Sequence, residues 1–128
     1  MSISGTTLGK RRVVIIDDDL AFNEFLTTLV GTFGHEVVAR SDTTDIYTYE
    51  LRDSDIVFLD MLMPHVNGPQ VLDRLAHQNS KCEIVLMSVD TQRLEDGEKL
   101  IKKLGLGFLG VLAKPFSVAD VSAILQWA

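Results

Sequence analysis

Cysteine is nearly missing from this chain: Cys82 stands alone among 128 residues. A single thiol excludes an internal disulfide framework and a cysteine-built zinc cluster, and it fits a reducing compartment. Packing is its expected role. Basic charge is also scarce, with 12 Lys and Arg against 18 Asp and Glu and a formal net charge of −6. Proteins that grip a phosphate backbone do so with clustered Lys and Arg, so direct nucleic-acid binding is not expected. No apolar run approaches the roughly 20 residues of a membrane-spanning helix, and Met1 to Gly9 is small and polar, unlike the apolar core of a secretion signal. Membrane insertion is therefore not expected, and the cytoplasm is the expected location. With 46% hydrophobic content, the chain has the apolar supply for one domain with one core. The expected organisation is a flexible segment over residues 1–11 and a folded unit over residues 12–128.

Short apolar runs punctuate the chain and end on polar residues. Arg12 to Ile16 changes abruptly to Asp17, Asp18 and Asp19, as a buried strand does at a sheet edge. Phe22, Phe25, Leu26, Leu29, Val30 and Phe33 then recur at three- and four-residue intervals, which predicts an inward helix face between the acidic triplet and Gly34. Glu36 to Ala39 reads as a second strand, and a helical segment from about Thr43 to Leu51 follows without a clean apolar stripe. Asp55 to Leu59 is a central-strand run that stops on Asp60. Pro64, Asn67 and Gly68 mark a loop, Pro69 suits the first position of a helix, and Val71, Leu72 and Leu75 supply its inward face. Glu83 to Met87 is a fourth strand, ending on Ser88. Asp90 or Thr91 caps a longer helix reaching about Leu104, with Lys102 and Lys103 at its negative end and Gly105 as its stop. Phe108 to Ala113 leads into Lys114 and Pro115, and Ser117 with Asp120 resembles a capping box for a last helix.

Five strands alternating with five helical segments imply right-handed βαβ crossovers and an α/β fold, a doubly wound parallel sheet with helices on both faces. Ligands of such sheets collect at the carboxyl ends of the strands. There stand Asp17 with Asp18, Asp60, Ser88 and Lys114. Three carboxylates brought together repel, and a hard cation with oxygen ligands keeps them ionised; Mg²⁺ suits a small, partly hydrated site. The cation would neutralise the oxygens of an incoming phosphoryl group and leave one carboxylate as nucleophile. Lys114 would add a fixed positive charge to the same oxygens, and the Ser88 hydroxyl a hydrogen bond.

Singly, each signal has a plainer reading. An acidic triplet is commonly a solvated turn, Ser88 a turn residue and Lys114 a surface charge; their joint position at four strand ends is what favours a site. His35, His65 and His77 lie in three separate segments without metal-ligand spacing and read as surface or loop residues. Met61, Met63 and Met87 read as packing, and Trp127 either covers the core edge or makes an exposed contact.

These residues resemble the receiver domains of two-component response regulators, the CheY-like family. The resemblance rests on Val14, Ile15, Ile16, Asp17, Asp18 and Asp19; on Asp60 followed by Met61, Leu62, Met63, Pro64, His65, Val66, Asn67 and Gly68; on Ser88; and on Lys114, Pro115 and Phe116. It covers Arg12 to Ala128 and implies a flavodoxin-like sheet in the strand order 2-1-3-4-5. It further implies a signalling switch in which Asp60 accepts a phosphoryl group from a sensor histidine kinase or phosphotransfer protein. Asp17, Asp18, Asp60 and the Leu62 main-chain carbonyl would hold Mg²⁺ or Mn²⁺, Asp18 directly and Asp17 through water. Ser88 and Lys114 would meet the phosphoryl group. Such a domain assists its own phosphotransfer and dephosphorylation without independent substrate turnover. The face of the fourth and fifth helical segments would meet an output domain or partner, a homodimer included.

Two departures stand out. Val111 occupies a position where the family usually has Tyr or Phe as a rotating readout, and the β-branched Val89 occupies one where a small residue usually gives the phosphodonor access. A looser resemblance, from Gly105 through Gly110, Val111 and Leu112 to Phe116, Ser117 and Val118, points to receivers placed before EAL-type cyclic-di-GMP phosphodiesterase domains.

Three other readings stay open at this point. A haloacid-dehalogenase-type phosphatase also combines an aspartyl nucleophile, a metal and a lysine, but it wants a second Asp where Leu62 stands. A flavodoxin-like cofactor binder needs phosphate-binding donors after the first strand, where three aspartates would repel the ligand. A degenerate receiver would keep the fold as a docking module only; the complete acidic set with Ser88 and Lys114 argues against it, while Val89 and Val111 argue for it.

Overall fold

β-Branched residues dominate the runs that become strands, as suits extended backbone covered on both faces. The computed structural model describes residues 11–41, 50–64, 66–78 and 80–126. In chain order the elements are β1 (Arg12–Ile16), α1 (Leu20–Gly31), β2 (Glu36–Arg40), β3 (Ile56–Asp60), β4 (Leu62–Met63), β5 (Val66–Asn67), α2 (Gly68–His77), β6 (Glu83–Ser88), α3 (Thr91–Leu104), β7 (Gly107–Ala113) and α4 (Val118–Leu125). The helical segment expected from Thr43 lies outside the described residues except for Glu50 and Leu51, which are not helical. His65, Trp127 and nearly all of the N-terminal segment lie outside them as well.

The five long strands pair in parallel in the order β2-β1-β3-β6-β7, so the expected order 2-1-3-4-5 holds. Where only a loop was expected after Asp60, β4 and β5 form a separate antiparallel ribbon, Leu62 opposite Asn67 and Met63 opposite Val66. Alternate strand residues feed two cores. Val14, Ile16, Val57, Leu59, Ile84 and Leu86 pack with Val71, Leu72 and Leu75 of α2 and with Leu94 and Ile101 of α3. Val13, Ile15, Ile56, Phe58, Val85 and Met87 pack with Leu26 and Val30 of α1 and with Val121 and Leu125 of α4. Each such side chain, when fully buried, contributes about 1.5–3 kcal/mol of transfer free energy.

The helix ends follow the capping residues. Asp19 Oδ1 accepts from Phe22 N at 3.1 Å, Asn67 Oδ1 from Gln70 N at 3.3 Å, and Asp90 Oδ1 from Gln92 N at 2.9 Å. Ser117 and Asp120 close the expected capping box, and Gly105 ends α3 in the left-handed region at φ 74°. Two expectations need correction. α2 starts at Gly68, so Pro69 takes its second position, where its missing N–H is still harmless. α1 stops at Gly31, and its inward face is Asn23, Leu26 and Val30 with Phe22 and Leu29 packed beside them, while Phe25 and Phe33 are 43% and 38% exposed. Six apolar positions are more than one face of a three-turn helix can bury.

Two contacts matter later. Arg12 grips the fully buried Asp55 with two hydrogen bonds, Nε to Oδ1 at 2.9 Å and a second guanidinium nitrogen to Oδ2 at 2.5 Å, at the end of the sheet opposite Asp60. Met61 fills the notch made by two glycines: a Cβ at Gly68 would lie 2.7 Å from its Sδ, and one at Gly97 would lie 3.1 Å from its Cε. Among the described residues, no helix is long and apolar enough to cross a membrane.

Candidate functional site

The sheet register brings the polar residues together. Ile16 of β1 lies opposite Leu59 of β3, so the next residues, Asp17 and Asp60, meet at the carboxyl edge. Asp60 lies opposite Met87 of β6, and Ser88 lies opposite Ala113 of β7. Main-chain bonds continue the ladders past the strand ends, from Met61 N to Met87 O and from Lys114 N to Ser88 O, both at 2.8 Å.

One oxygen from each of Asp17, Asp18 and Asp60 can be chosen so that all lie within 4.8 Å of one another. Asp17 is fully buried, Asp60 is 4% exposed and Asp18 faces solvent. The Lys114 ammonium stands 2.6 Å from Asp17 Oδ2 and 3.4 Å from Asp60 Oδ2. The other oxygens are held by main-chain donors: Asp17 Oδ1 accepts from Asp19 N at 3.0 Å, and Asp60 Oδ1 from Leu62 N at 3.1 Å. Burial pushes the Asp60 carboxyl up to about 6; the Leu62 N–H works against that push, the charge on Asp17 adds to it, and Lys114 opposes it. One ammonium offsets only one of the three carboxylate charges. Hard oxygen donors at this spacing, with negative charge left over, fit a small divalent cation.

Asp17, Asp18, Asp60 and Lys114 therefore converge as the sequence suggests. Ser88 is buried at the same edge, but its Oγ accepts from Asp90 N at 3.0 Å and so faces its own turn. Leu62 meets Asp60 through its N–H, with its side chain exposed. Val89 and Val111 are both exposed.

Two neighbours of the site escaped the sequence reading. Asn23 is buried on α1 and donates from Nδ2 to Asp17 O at 2.7 Å, while its Oδ1 has no partner among the described residues. Phe22, expected only to pack, places its ring 4.2 Å from the Lys114 ammonium. The same ring meets Phe116 edge-on, with centroids 5.2 Å apart and planes at 83°. No spacing rule links residues 22 and 114; only the assembled sheet does.

Known proteins bear on this geometry. The chain is similar to a solved response regulator from Colwellia psychrerythraea, at 31% identity and a TM-score of 0.80, covering 91% of this chain and 94% of that one. It shares its fold with TrrA of Thermotoga maritima, solved in complex with Mg(2+)-BeF, at 16% identity and a TM-score of 0.73, covering 91% of this chain and 97% of that one. Among curated proteins it is 28% identical over 120 residues to the regulatory protein VirG of Agrobacterium tumefaciens, covering 92% of this chain and 43% of that protein. It is also 28% identical over 120 residues to the probable transcriptional regulator ycf27 of Cyanophora paradoxa, covering 93% of this chain and 48% of that protein. The chain thus spans less than half the length of these two relatives, and neither supports the looser resemblance to receivers placed before EAL-type domains. The family model described as the response regulator receiver domain matches residues 13–126. A doubly wound sheet with its acidic cluster and lysine at one edge, together with this match, makes the chain a member of the response regulator receiver domain family.

Proposed function

We propose that residues 12–128 form a unit that takes a phosphoryl group onto Asp60 from the phosphohistidine of a sensor kinase or phosphotransfer protein. The observation that carries this reading is the grouping of three carboxylates within 4.8 Å around one nearly buried acceptor, with the Lys114 ammonium 3.4 Å from it. Asp17, Asp18, Asp60 and the Leu62 carbonyl would hold Mg²⁺, with Mn²⁺ as the alternative. The bound cation supplies positive charge to the phosphoryl oxygens. A protein of the same fold, TrrA, was solved with Mg(2+)-BeF, which supports the assignment.

In the transfer, an Asp60 oxygen attacks phosphorus, the P–N bond of the donor breaks, and the imidazole leaves with the bonding pair. The Leu62 N–H, already on Asp60 Oδ1, orients the carboxylate for attack. Lys114 supplies a positive charge to the transferred group, for which it must leave Asp17. The Ser88 hydroxyl accepts from Asp90 N and keeps its own O–H to donate to the phosphoryl group. A shift of Ser88 toward that group, carried by the turn into α3, is the movement by which phosphorylation changes the face of α3 and α4 toward an output domain or partner.

The test is incubation with Mg²⁺ and acetyl phosphate followed by intact mass measurement. One added phosphoryl group is expected, lost in Asp60→Asn and in chelator. Repeated turnover of small phosphate esters, with no adduct on Asp60, would instead favour an aspartyl phosphatase.

A further inference from the structure

We propose that Phe22 is a positioning residue for phosphoryl transfer, holding the Lys114 ammonium against its ring face beside Asp60. The inference rests on Asp60 being the phosphoacceptor. The ammonium lies 4.2 Å from the ring centroid, inside the roughly 6 Å over which a cation is attracted by an aromatic face. Lys114 is only 16% exposed, so water competes weakly for the contact.

The ring is itself held by two aromatic neighbours, and its main chain by a helix cap. The Asp19 carboxylate caps the Phe22 N–H at 3.1 Å. Phe116 meets the ring edge-on at 5.2 Å, and Phe25 lies at a tilt, 6.3 Å away. Phe116 follows Lys114 by two positions, so the segment that carries the lysine also clamps the ring under it.

Transfer asks Lys114 to do two things. Before it, the ammonium sits 2.6 Å from Asp17 Oδ2; during it, the charge must move to oxygens on phosphorus at Asp60. That move gives up the 2.6 Å hydrogen bond to Asp17 Oδ2, and a second directional acceptor beside the lysine would add to its cost. An aromatic face attracts the ammonium without a fixed direction, so it confines the charge to the site both before and after the move. A flexible four-carbon stem would otherwise have solvent as an alternative.

The test replaces Phe22 with phenylalanine carrying one, two or three ring fluorines, which withdraw electron density from the face while nearly keeping its shape. With saturating Mg²⁺ and acetyl phosphate, the rate of Asp60 phosphorylation is expected to fall stepwise, by about tenfold in all. Mg²⁺ affinity is expected to stay put, while the unfolding midpoint falls slightly, because the weakened contact is also present before transfer. Phe22→Trp should retain the rate and Phe22→Leu lose it. In the NMR spectrum, the Lys114 methylene protons nearest the ammonium should be shifted upfield by the ring current, and this shift should vanish in Phe22→Leu. If the parent protein is phosphorylated and the fluorinated series is flat, the Phe22 assignment fails alone. If the parent takes no phosphoryl group at Asp60, the phosphoacceptor reading fails and takes this one with it. Should Phe22→Leu not fold, the fluorinated series still decides.

Discussion

Lys114 stands closer to Asp17, at 2.6 Å, than to Asp60, at 3.4 Å. The lysine is thus parked on the fully buried carboxylate rather than on the proposed phosphoacceptor. Removing one partner of a buried pair costs about 3–5 kcal/mol because the other charge stays behind uncompensated. Lys114→Met is therefore expected to lose about 3 kcal/mol of stability in chelator, and to regain much of it with Mg²⁺, which takes over the compensation. Urea unfolding with and without Mg²⁺ measures both effects.

The raised Asp60 carboxyl predicts a pH dependence in metal-free protein. The folded state holds the proton up to about 6, against an ordinary value of 3.8, so it binds more protons than the unfolded chain within that window. Stability is then fully present below pH 3.8 and is lost as pH rises through about 6. The loss by neutral pH is on the order of 3 kcal/mol, since each tenfold difference in proton affinity between the two states is worth about 1.36 kcal/mol. Asp60→Asn should flatten this part of the profile and be more stable than the parent near pH 7. Denaturant unfolding between pH 4.5 and 7.5 in chelator would show it; a parent profile that already matches the Asn variant would refute the assignment.

Arg12 and Asp55 make the corresponding prediction far from the chemistry. Asp55 is fully buried and takes two guanidinium bonds plus the Arg52 N–H at 2.7 Å. Arg12→Ala leaves that charge without its cation, at an expected cost of about 3–5 kcal/mol. The folded fraction should still be phosphorylated at the parental rate, because the lesion lies at the other end of the sheet. Comparing urea midpoints with phosphorylation rates separates the two effects.

Cys82 is fully buried and accepts a hydrogen bond from Ser80 Oγ at 3.1 Å. Burial pushes its thiol pKa up, so the reactive thiolate is scarce in the folded state. Labelling with a thiol reagent at pH 8 is expected to follow the rate of opening and to speed up in Arg12→Ala. Rapid stoichiometric labelling of the native parent would contradict this burial.

How much of this was legible in the sequence follows from what each element must bury. The long strands could be read because both sheet faces are covered, which leaves near-continuous apolar runs ending on polar residues. Asp17, Asp60 and Lys114 could be placed at one edge because strand alternation fixes which ends meet. The inward face of α1 is legible at Phe22, Leu26, Leu29 and Val30, but Phe25 and Phe33 carry the same apolar signal and face outward, while the polar Asn23 takes a buried place. Two-residue ladders such as β4 and β5 have no periodicity to read. The turn of Ser88 toward Asp90 N reflects a local side-chain to main-chain bond. The Phe22 to Lys114 contact depends on how the first turn of α1 sits beside the end of β7, and nothing in the pattern of either segment announces it.

Met61, directly after Asp60, occupies the space a side chain would need both at Gly68, at the start of α2, and at Gly97, in the middle of α3. Side-chain volume at these three positions is consequently shared. A methyl group added at Gly97 would also press on the Leu86 Cδ1, 2.7 Å away, so it can be accommodated only where residues 61 and 86 give ground together. Residues distant in the chain thus form one steric unit: enlarging Gly68 displaces the end of the methionine, and enlarging Gly97 displaces Leu86 first and the methionine with it.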